Sequence, residues 1–353
     1  MKASRGMVGG SRATSGLEKR CRPRAGLSIV IPVTDRLGND VIQAFEETLV
    51  SVLENRPDDT EVIVVLGCEY SDPWNIRDEV EFVRAPAGSS LVACVNIGLG
   101  VCAGEVIHVL APGWRATPDW ADAAIARFES PKVGAVVPLI VSEKDRGRAI
   151  SQGIAYRSGG QRVVVKPPRA RAGEPGVRPA WAPPLQAGFW RAEVFELDGH
   201  GFAATCGDSH ADCDLAVAAR IAGYETVVEP KSSVVESSRK VPAVSGFRAG
   251  LHAERLFWRA AAGRPTVLPL VSHLFEIVRH AVARAPFGTL PMLAGRALAL
   301  IQFGSYLGRY RRLKAIAASA ADDSGERILR LDGGNQLLRG PSQKHREPLR
   351  RSA

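Results

Sequence analysis

The sequence lacks the cysteine patterns that mark metal-binding and disulfide-stabilised proteins. None of its six cysteines belongs to a pair separated by two residues, and their spacings suit neither a zinc site nor a disulfide framework. Cys94 and Cys102 lie in an apolar stretch, where cysteine behaves as a small core residue. This cysteine usage favours a reducing compartment such as the cytoplasm.

A long apolar run is also missing. A helix that crosses a bilayer needs about 20 predominantly apolar residues, and the best candidate segment, residues 290–307, contains Pro291, Arg296 and Gln302. The N-terminus is polar and has no apolar core of a secretory signal peptide. These absences predict a cytoplasmic protein, with at most a peripheral contact with the inner face of the cell membrane.

The central part of the chain has no large excess of charge of either sign. The net charge is +9, but it is concentrated at the ends: residues 1–25 contain seven basic residues and one acidic residue, and residues 339–353 contain five and one. We expect residues 1–25 and 319–353 to be disordered basic tails. Such tails can contact acidic lipid headgroups or stay solvated. No nucleic acid is expected as a partner, because the body is not basic and has no motif for nucleic-acid recognition.

Short β-branched runs alternate with helical patterns in the first half of the chain. Strands are predicted at residues 27–32, 61–66 and 106–110, with helices at 41–53 and 90–103 between them. This alternation predicts a parallel sheet with helices on both faces. Since ligands bind such sheets at the carboxyl ends of the strands, three strand ends should form one pocket. These ends are residues 32–35, 66–69 and 111–114.

The second half is less regular. Residues 143–183 are rich in Arg, Gly and Pro and predict a short β-excursion with a mobile loop. Residues 247–316 predict helices with apolar stripes that include Leu251-Leu256-Phe257 and Leu274-Ile277-Val278. The stripes can pack on the rest of the protein or lie on a membrane surface, and we favour packing.

Several motifs occur in an order typical of one enzyme family. The opening strand ends in Pro32-Val33, and residues 88–107 carry a G…A-x-N-x-G…A-G-E-x-I pattern. Residues 117–120 supply a P-x-W motif, and residues 211–224 carry A-D-C-D-L, a later arginine and A-G-Y. In the second of these segments Cys94 stands where the family pattern has Ala. Together these segments resemble family 2 glycosyltransferases over residues 26–236.

The resemblance implies an α/β fold of the GT-A (nucleotide-diphospho-sugar transferase-like) type. A doubly wound, mostly parallel sheet is expected in residues 26–240, with a helical C-terminal extension in residues 241–318. The implied activity is sugar transfer, with inversion, from a nucleotide-sugar donor to a saccharide or lipid-linked acceptor. The implied donor-binding residues are Pro32, Thr34, Asp35, Leu66, Glu69, Gly88, Asn96, Ala111, Gly113 and Arg115. The implied acceptor-binding residues are Gln186, Gly188 and Trp190, with a core role as the alternative for the aromatic residue.

The catalytic carboxylate implied by the resemblance is Asp212, with Asp214 as the second acid of the motif. Such a reaction needs a base for the acceptor hydroxyl, so Asp212→Asn is expected to abolish transfer and leave the fold intact. The alternative for Asp212 is an acidic residue that stabilises a helix N-terminus.

Three positions depart from the family pattern. The metal-binding D-x-D motif is Ala111-Pro112-Gly113, the acidic pair after the second strand is Leu66-Gly67, and a late histidine is Glu236. No metal ligand is therefore predicted, and a magnesium or manganese ion has no support from the sequence. His108, within an apolar strand, is interpreted as a core residue.

Arginines can neutralise a diphosphate without a metal. Arg115 follows the substituted motif, and further cations are Lys166, Arg169, Arg171, Arg239 and Lys240. The alternative function is a non-catalytic glycosyltransferase-like binding protein that has lost the metal-binding aspartates.

Overall fold

The computed structural model describes residues 26–35, 40–157, 159–168, 177–199, 201–237, 244–261 and 267–324. The predicted tail at 1–25 lies outside these ranges. The predicted tail at 319–353 begins too early, because the last helix continues to Ser324.

A central sheet of nine strands runs in the order β3-β2-β1-β4-β10-β6-β11-β5, with β7 paired to β6. β10, β5 and β7 run antiparallel to their neighbours, and the other six strands share one direction. The strands are β1 (Leu27–Val33), β2 (Thr60–Leu66), β3 (Val80–Arg84), β4 (Val106–Leu110), β5 (Trp114–Ala116), β6 (Val133–Ser142), β7 (Asp145–Ser151), β10 (Ala187–Arg191) and β11 (Glu225–Glu236). A separate hairpin consists of β8 (Ile154–Arg157) and β9 (Gln161–Val164).

The helices pack on both faces of this sheet and continue in a C-terminal extension. They are α1 (Val41–Asn55), α2 (Leu91–Leu99), α3 (Trp120–Ile125), α4 (Gly207–Ile221), α5 (Gly246–Ala261), α6 (Val267–Ala283), α7 (Thr289–Ile301) and α8 (Phe303–Ser324). The predicted strand–helix alternation is confirmed, although α2 ends earlier than expected.

Two apolar layers sandwich the sheet. Phe45 of α1 and Trp120 of α3 are fully buried in one layer. Val95 of α2 and Leu215 of α4 lie in the other. Successive side chains of a strand point to opposite faces, so a strand covered on both sides is apolar at most positions. All seven residues of β1 are buried, and Ser28 is its one polar side chain.

The register brings the carboxyl ends of the first strands together. Val33 of β1 is the direct partner of Leu66 of β2, and Val30 is the partner of Val109 of β4. The predicted meeting of these strand ends at one edge is therefore confirmed.

The C-terminal extension is anchored by α5. Leu251, Leu256 and Phe257 are buried, as predicted for this stripe. The contact between α5 and α7 is very close, because a Cβ at Gly250 or at Gly295 would lie 2.0 Å from a carbonyl oxygen of the opposite helix. Glycine is required where two helix backbones approach to this distance.

The packing predicted for the second stripe is wrong. In α6, every residue of which is described, only Pro269 and His273 are buried, whereas Leu274 is 64% exposed and Val278 is 61% exposed. Among the helices that the structure describes, none combines the length and the apolar character needed to cross a membrane.

Candidate functional site

The site lies at the carboxyl ends of β1, β2 and β4. Thr34 is buried directly after β1, and Asp35 is exposed beside it. Burial of the neighbouring thiol raises the pKa of Cys68, and the negative charge of Asp35 raises it further. The carboxylate of Asp35 thus stands at the open rim of the sheet, where a ligand would approach.

Gly67 occupies the position of the second expected acidic residue. Its N–H donates to the Val33 carbonyl oxygen at 2.8 Å. A Cβ at this position would lie 3.1 Å from the same oxygen and 3.3 Å from the sulfur of Cys94. The close approach of the two strands therefore disfavours a larger residue here.

The turn after β4 has no side-chain ligand for a metal. Ala111, Pro112 and Gly113 are all buried, and Gly113 has a φ of 88°, which favours glycine. The Gly113 N–H donates to Thr48 Oγ1 at 3.0 Å, and its carbonyl oxygen accepts from Ser237 N–H at 2.9 Å. The donor set of this turn does not fit a divalent cation, which prefers carboxylate and other oxygen ligands. Within the described ranges, no group of three or more His, Cys, Asp or Glu side chains is placed to hold one.

Arg115 is engaged by the protein itself. Its guanidinium pairs with Glu143 and lies 3.8 Å from a carboxylate oxygen of Glu47. Glu236, at the end of β11 opposite Trp114, has a pKa raised by burial. Glu143 and Glu47 compete with a diphosphate for Arg115, so the structure gives no support to the predicted contact of Arg115 with the donor.

Asp212 is fully buried in the first half of α4. Its carboxylate receives two hydrogen bonds in a fork from Arg162 of β9, Nε to Oδ1 at 3.1 Å and Nη2 to Oδ2 at 2.7 Å. The backbone N–H of Leu185 donates to Oδ2 at 3.1 Å. Burial lowers the pKa of Arg162, but the charge of Asp212 more than compensates and raises it overall.

Backbone hydrogen bonds connect Asp212 with the turn after β4. Leu185 is followed by Gln186, whose carbonyl oxygen accepts from the Ala111 N–H at 2.9 Å. The predicted base, the predicted acceptor segment and the substituted metal motif are therefore neighbours.

Three residues predicted to contact the donor or the acceptor instead support the fold. Trp190 is fully buried and packs edge-on against Phe202 with ring centroids 5.7 Å apart, so an acceptor sugar cannot stack on it. A Cβ at Gly188 would lie 2.7 Å from Trp190 Nε1. The side-chain amide of Asn96 donates to the Phe202 carbonyl oxygen and accepts from the Phe202 N–H, both at 2.8 Å, and so fixes a loop rather than a nucleotide.

Asp214 also has a structural position, which corrects its predicted catalytic role. It is 3% exposed and, two residues after Asp212 in α4, lies on the opposite side of the helix from the side chain that meets Leu185. Arg259 of α5 donates to both of its oxygens at 2.7 and 2.9 Å, and Arg309 of α8 also pairs with it. Asp198 completes this buried group of charges. Asp214 therefore holds the helical extension against α4.

His108 is a core residue, as interpreted from the sequence. Its Nδ1 donates to the Gly188 carbonyl oxygen at 3.1 Å, and its Nε2 accepts from Trp120 Nε1 at 3.2 Å. Burial lowers its pKa to about 3. The ring is consequently neutral and both nitrogens are satisfied.

Sequence reasoning missed Arg162, His210 and His252. Arg162 directly precedes Val163-Val164-Val165 in the predicted β-excursion, and this position before a β-branched run was its one available signal. His210 precedes the A-D-C-D-L segment, and burial lowers its pKa to about 3, with the charge of Arg162 acting in the same direction. His252 comes from α5, and its ring centroid lies 6.4 Å from that of His210.

The remaining predicted residues lie at the rim or outside the described ranges. Pro32 is buried in β1, Glu69 and Gly88 are exposed, and Lys166 is exposed. Leu66 lines a cleft of about 570 Å³ along β3 together with Tyr70. Four predicted cations lie outside the described residues: Arg169, Arg171, Arg239 and Lys240.

Two solved structures share this arrangement of strands and helices. GalNAc-T7, solved with UDP, GalNAc and Mn²⁺, is 16% identical with a TM-score of 0.50, over 72% of this chain and 55% of its own. Residues 1–349 of TarS from S. aureus are 11% identical with a TM-score of 0.53, over 86% and 92%. This chain thus spans about half the length of the GalNAc-T7 chain. No protein-family model and no curated protein matches the sequence. The similarity confirms the GT-A-like α/β fold, whereas membership of family 2 stays a prediction.

Proposed function

We propose that this protein is a glycosyltransferase that moves a sugar from a nucleotide-sugar donor to a saccharide or lipid-linked acceptor. The observation that carries the proposal is the linked geometry at one sheet edge. The ends of β1 and β2 coincide there, and the Leu185–Gln186 segment joins the end of β4 to Asp212. Donor sites of open α/β sheets lie at this kind of edge.

Asp35 and Glu69 are the exposed carboxylates that we assign to the nucleotide. Both follow the carboxyl ends of adjacent strands, where their oxygens can accept hydrogen bonds from ribose hydroxyls or from a base. Because carboxylates are negatively charged, neither can neutralise the departing diphosphate. A cation from the chain must stabilise the negative charge that develops on the diphosphate.

Arg162 is our candidate for that cation. A donor diphosphate competes with Asp212 for the guanidinium fork, since arginine binds phosphate and carboxylate groups with the same geometry. When Arg162 turns to the diphosphate, the Asp212 carboxylate is released as a base. The acceptor oxygen then bonds to the anomeric carbon, the bond to the diphosphate breaks, and the hydroxyl proton passes to Asp212. Attack opposite the leaving group inverts the configuration.

The turn at Ala111 and Gly113 favours a second candidate function. Because these residues offer no carboxylate to a metal, a protein that binds a nucleotide sugar without transferring it is consistent with the same rim. In that case Asp212 and Arg162 remain paired when the ligand is bound.

The two functions differ in turnover. We would measure the unfolding temperature of the full chain with UDP-, GDP- and dTDP-sugars, each with Mn²⁺ and with EDTA, and follow release of the free nucleotide. Stabilisation by one nucleotide sugar that persists in EDTA, with nucleotide release, supports a metal-independent transferase. Stabilisation without release supports the binding protein, and the absence of any response contradicts both.

Replacing the Asp35 carboxylate by an amide tests where the donor binds. Asp35→Asn should weaken binding of the stabilising nucleotide about tenfold, the loss of one hydrogen bond to a charged group. Asp58→Asn is the matched control, because Asp58 is also exposed but precedes β2 at the opposite edge of the sheet. Equal affinities of the two variants would remove Asp35 from the donor site.

A further inference from the structure

The helices α6 and α7 and the turn between them expose an unusual number of large apolar side chains. The turn contributes Phe287, which is 92% exposed, and the end of α7 contributes Ile301, which is 82% exposed. We call this set the α6–α7 surface: Val267, Leu268, Leu270, Val271, Leu274, Phe275, Val278, Val282, Phe287, Leu290, Leu293, Leu300 and Ile301. Contiguous apolar patches of this kind are rare on proteins that contact only water.

The inside of the same hairpin is polar or small. His273 of α6 is buried with its Nε2 3.0 Å from a carboxylate oxygen of Glu254, and Arg296 of α7 donates to the same carboxylate at 2.6 Å. The side of α7 that faces α5 otherwise consists of Met292, Gly295 and Ala299. Apart from Met292, the large apolar residues of the hairpin therefore point outward and charged or small residues point inward. This distribution is expected when the surroundings are apolar.

The exposed stripe follows the helical period of α6. Val267, Val271, Leu274, Val278 and Val282 recur at intervals of three and four residues and lie on one face. The stripe runs the whole length of the helix, about 25 Å at 1.5 Å per residue. A long stripe on a helix with polar residues on its other face is typical of a helix that lies in a bilayer interface.

The charges around the surface favour anionic headgroups. Between residues 267 and 301 the sequence contains one acidic residue, Glu276, and its carboxylate is paired with Arg279. The helix that follows exposes Arg311, Arg312 and Lys314, and residues 339–353 add five basic residues and one acidic residue. An apolar helix face combined with a basic segment supplies the two signals that stable membrane anchoring requires.

A second copy of the chain explains this pattern less well. The most exposed side chain, Phe287, lies at the turn that connects the two helices. The end of a helical hairpin offers little surface area to a folded protein partner. Acyl chains instead adapt to a protruding side chain, and an aromatic ring there can insert at the level of the headgroups.

We propose that the α6–α7 surface docks the protein on an anionic lipid bilayer. The hairpin lies in the interface with its apolar side chains among the acyl chains, and the exposed Arg311, Arg312 and Lys314 of α8 contact the headgroups. Binding through this surface depends on no property of the sugar-transfer site, so it holds whichever of the two proposed functions is correct.

Vesicle flotation with the full chain tests the proposal. Wild type should float with vesicles of phosphatidylcholine and phosphatidylglycerol and keep part of its binding at high salt, since apolar insertion is not screened. A triple variant, Leu274→Ser, Phe275→Ser and Phe287→Ser, should lose roughly 100-fold or more in partitioning, because each side chain removed takes away apolar burial.

The matched control is Val50→Ser with Trp74→Ser. These side chains are 45% and 50% exposed and lie outside the C-terminal helical extension, in α1 and in the loop between β2 and β3. Their loss should therefore leave vesicle binding unchanged. Unfolding temperatures of both variants should stay close to wild type, since every substituted side chain is exposed. Absence of wild-type binding, equal binding by the triple variant, or a wild-type dimer that the triple variant dissociates without any vesicle binding would each overturn the proposal.

Discussion

Asp212 and Arg162 form a buried, forked ion pair that joins the start of α4 to the β8–β9 hairpin, with the shorter contact at 2.7 Å. Asp212 is fully buried, whereas the arginine side chain is 20% exposed. The pair also positions Leu185, whose N–H donates to the same carboxylate. The residue that the sequence identifies as a base is therefore also a structural element of the site.

This pairing changes the outcome expected for Asp212→Asn. Removing the charge leaves Arg162 without its partner, and loss of one member of a buried pair costs about 3 kcal/mol of unfolding free energy. Urea denaturation should show this loss, in place of the intact stability expected from the sequence. In the double variant with Arg162→Gln, the loss should be smaller than the sum of the two single losses. Additive losses would indicate that the two side chains do not interact.

We expect Asp214 to contribute to the stability of the fold and not to the affinity for a ligand. Asp214→Asn deprives Arg259 and Arg309 of a shared carboxylate and should lower the unfolding free energy by about 3 kcal/mol. The affinity for the stabilising nucleotide, measured by titration below the unfolding transition, should match wild type. A large loss of affinity with unchanged stability would restore the catalytic assignment.

The α5–α7 contact predicts a contrast between two glycines. Gly295→Ala would place a Cβ 2.0 Å from the Phe247 carbonyl oxygen, and separating the helices should cost about 2 kcal/mol. Gly304→Ala in α8 meets no atom within 4 Å and should stabilise the helix by about 0.5 kcal/mol. Thermal denaturation distinguishes them, and equal unfolding temperatures would contradict the close contact.

His108 should make stability depend on pH. Its pKa is lowered to about 3 in the folded state, from 6.5 for an unperturbed histidine, by burial. The unfolded chain therefore binds a proton between these values and the folded chain does not, so stability falls as pH decreases from 6.5. For this residue the slope approaches about 1.4 kcal/mol per pH unit.

The matching variant is His108→Gln, which is less stable at neutral pH but does not titrate. Its unfolding free energy between pH 7 and 5.5 should depend less on pH than that of wild type, whose other buried histidines contribute the remaining slope. Parallel curves would show that His108 takes up a proton in the folded state.

Local pattern was enough to predict the first half of the fold. The strands at Leu27, Val62 and Val106 and the helix at Val41 were recognisable from their patterns. A strand covered on both faces is apolar at most positions, and the apolar residues of a helix on one face recur every three to four residues. β5, β7 and β10 were not predicted. β10 is formed by Ala187–Arg191, whose glycine and aromatic residues carry no strand alternation, and its antiparallel place between β4 and β6 depends on contacts distant in sequence.

The candidate site was likewise predictable only in part from the sequence. The strand pattern predicted that residues 32–35, 66–69 and 111–114 lie at one edge, because strand ends follow from strand positions. Whether Trp190 faces a ligand or the core, and whether Asp214 faces the active site or the helical extension, depends on which residues pack opposite them. Arg259 and Arg309 are far from Asp214 in sequence, so no local pattern could assign that role.

The sequence by itself determined the alternating sheet, the GT-A-like topology and the absence of carboxylates at Ala111 and Gly113, since these depend on residue type and order along the chain. Only the tertiary structure decided that Arg162 neutralises Asp212 and that Leu274 and Phe275 face outward. Long-range packing sets the burial and the neighbouring charge of each side chain, and these two quantities decide which groups can meet a ligand and which must meet each other.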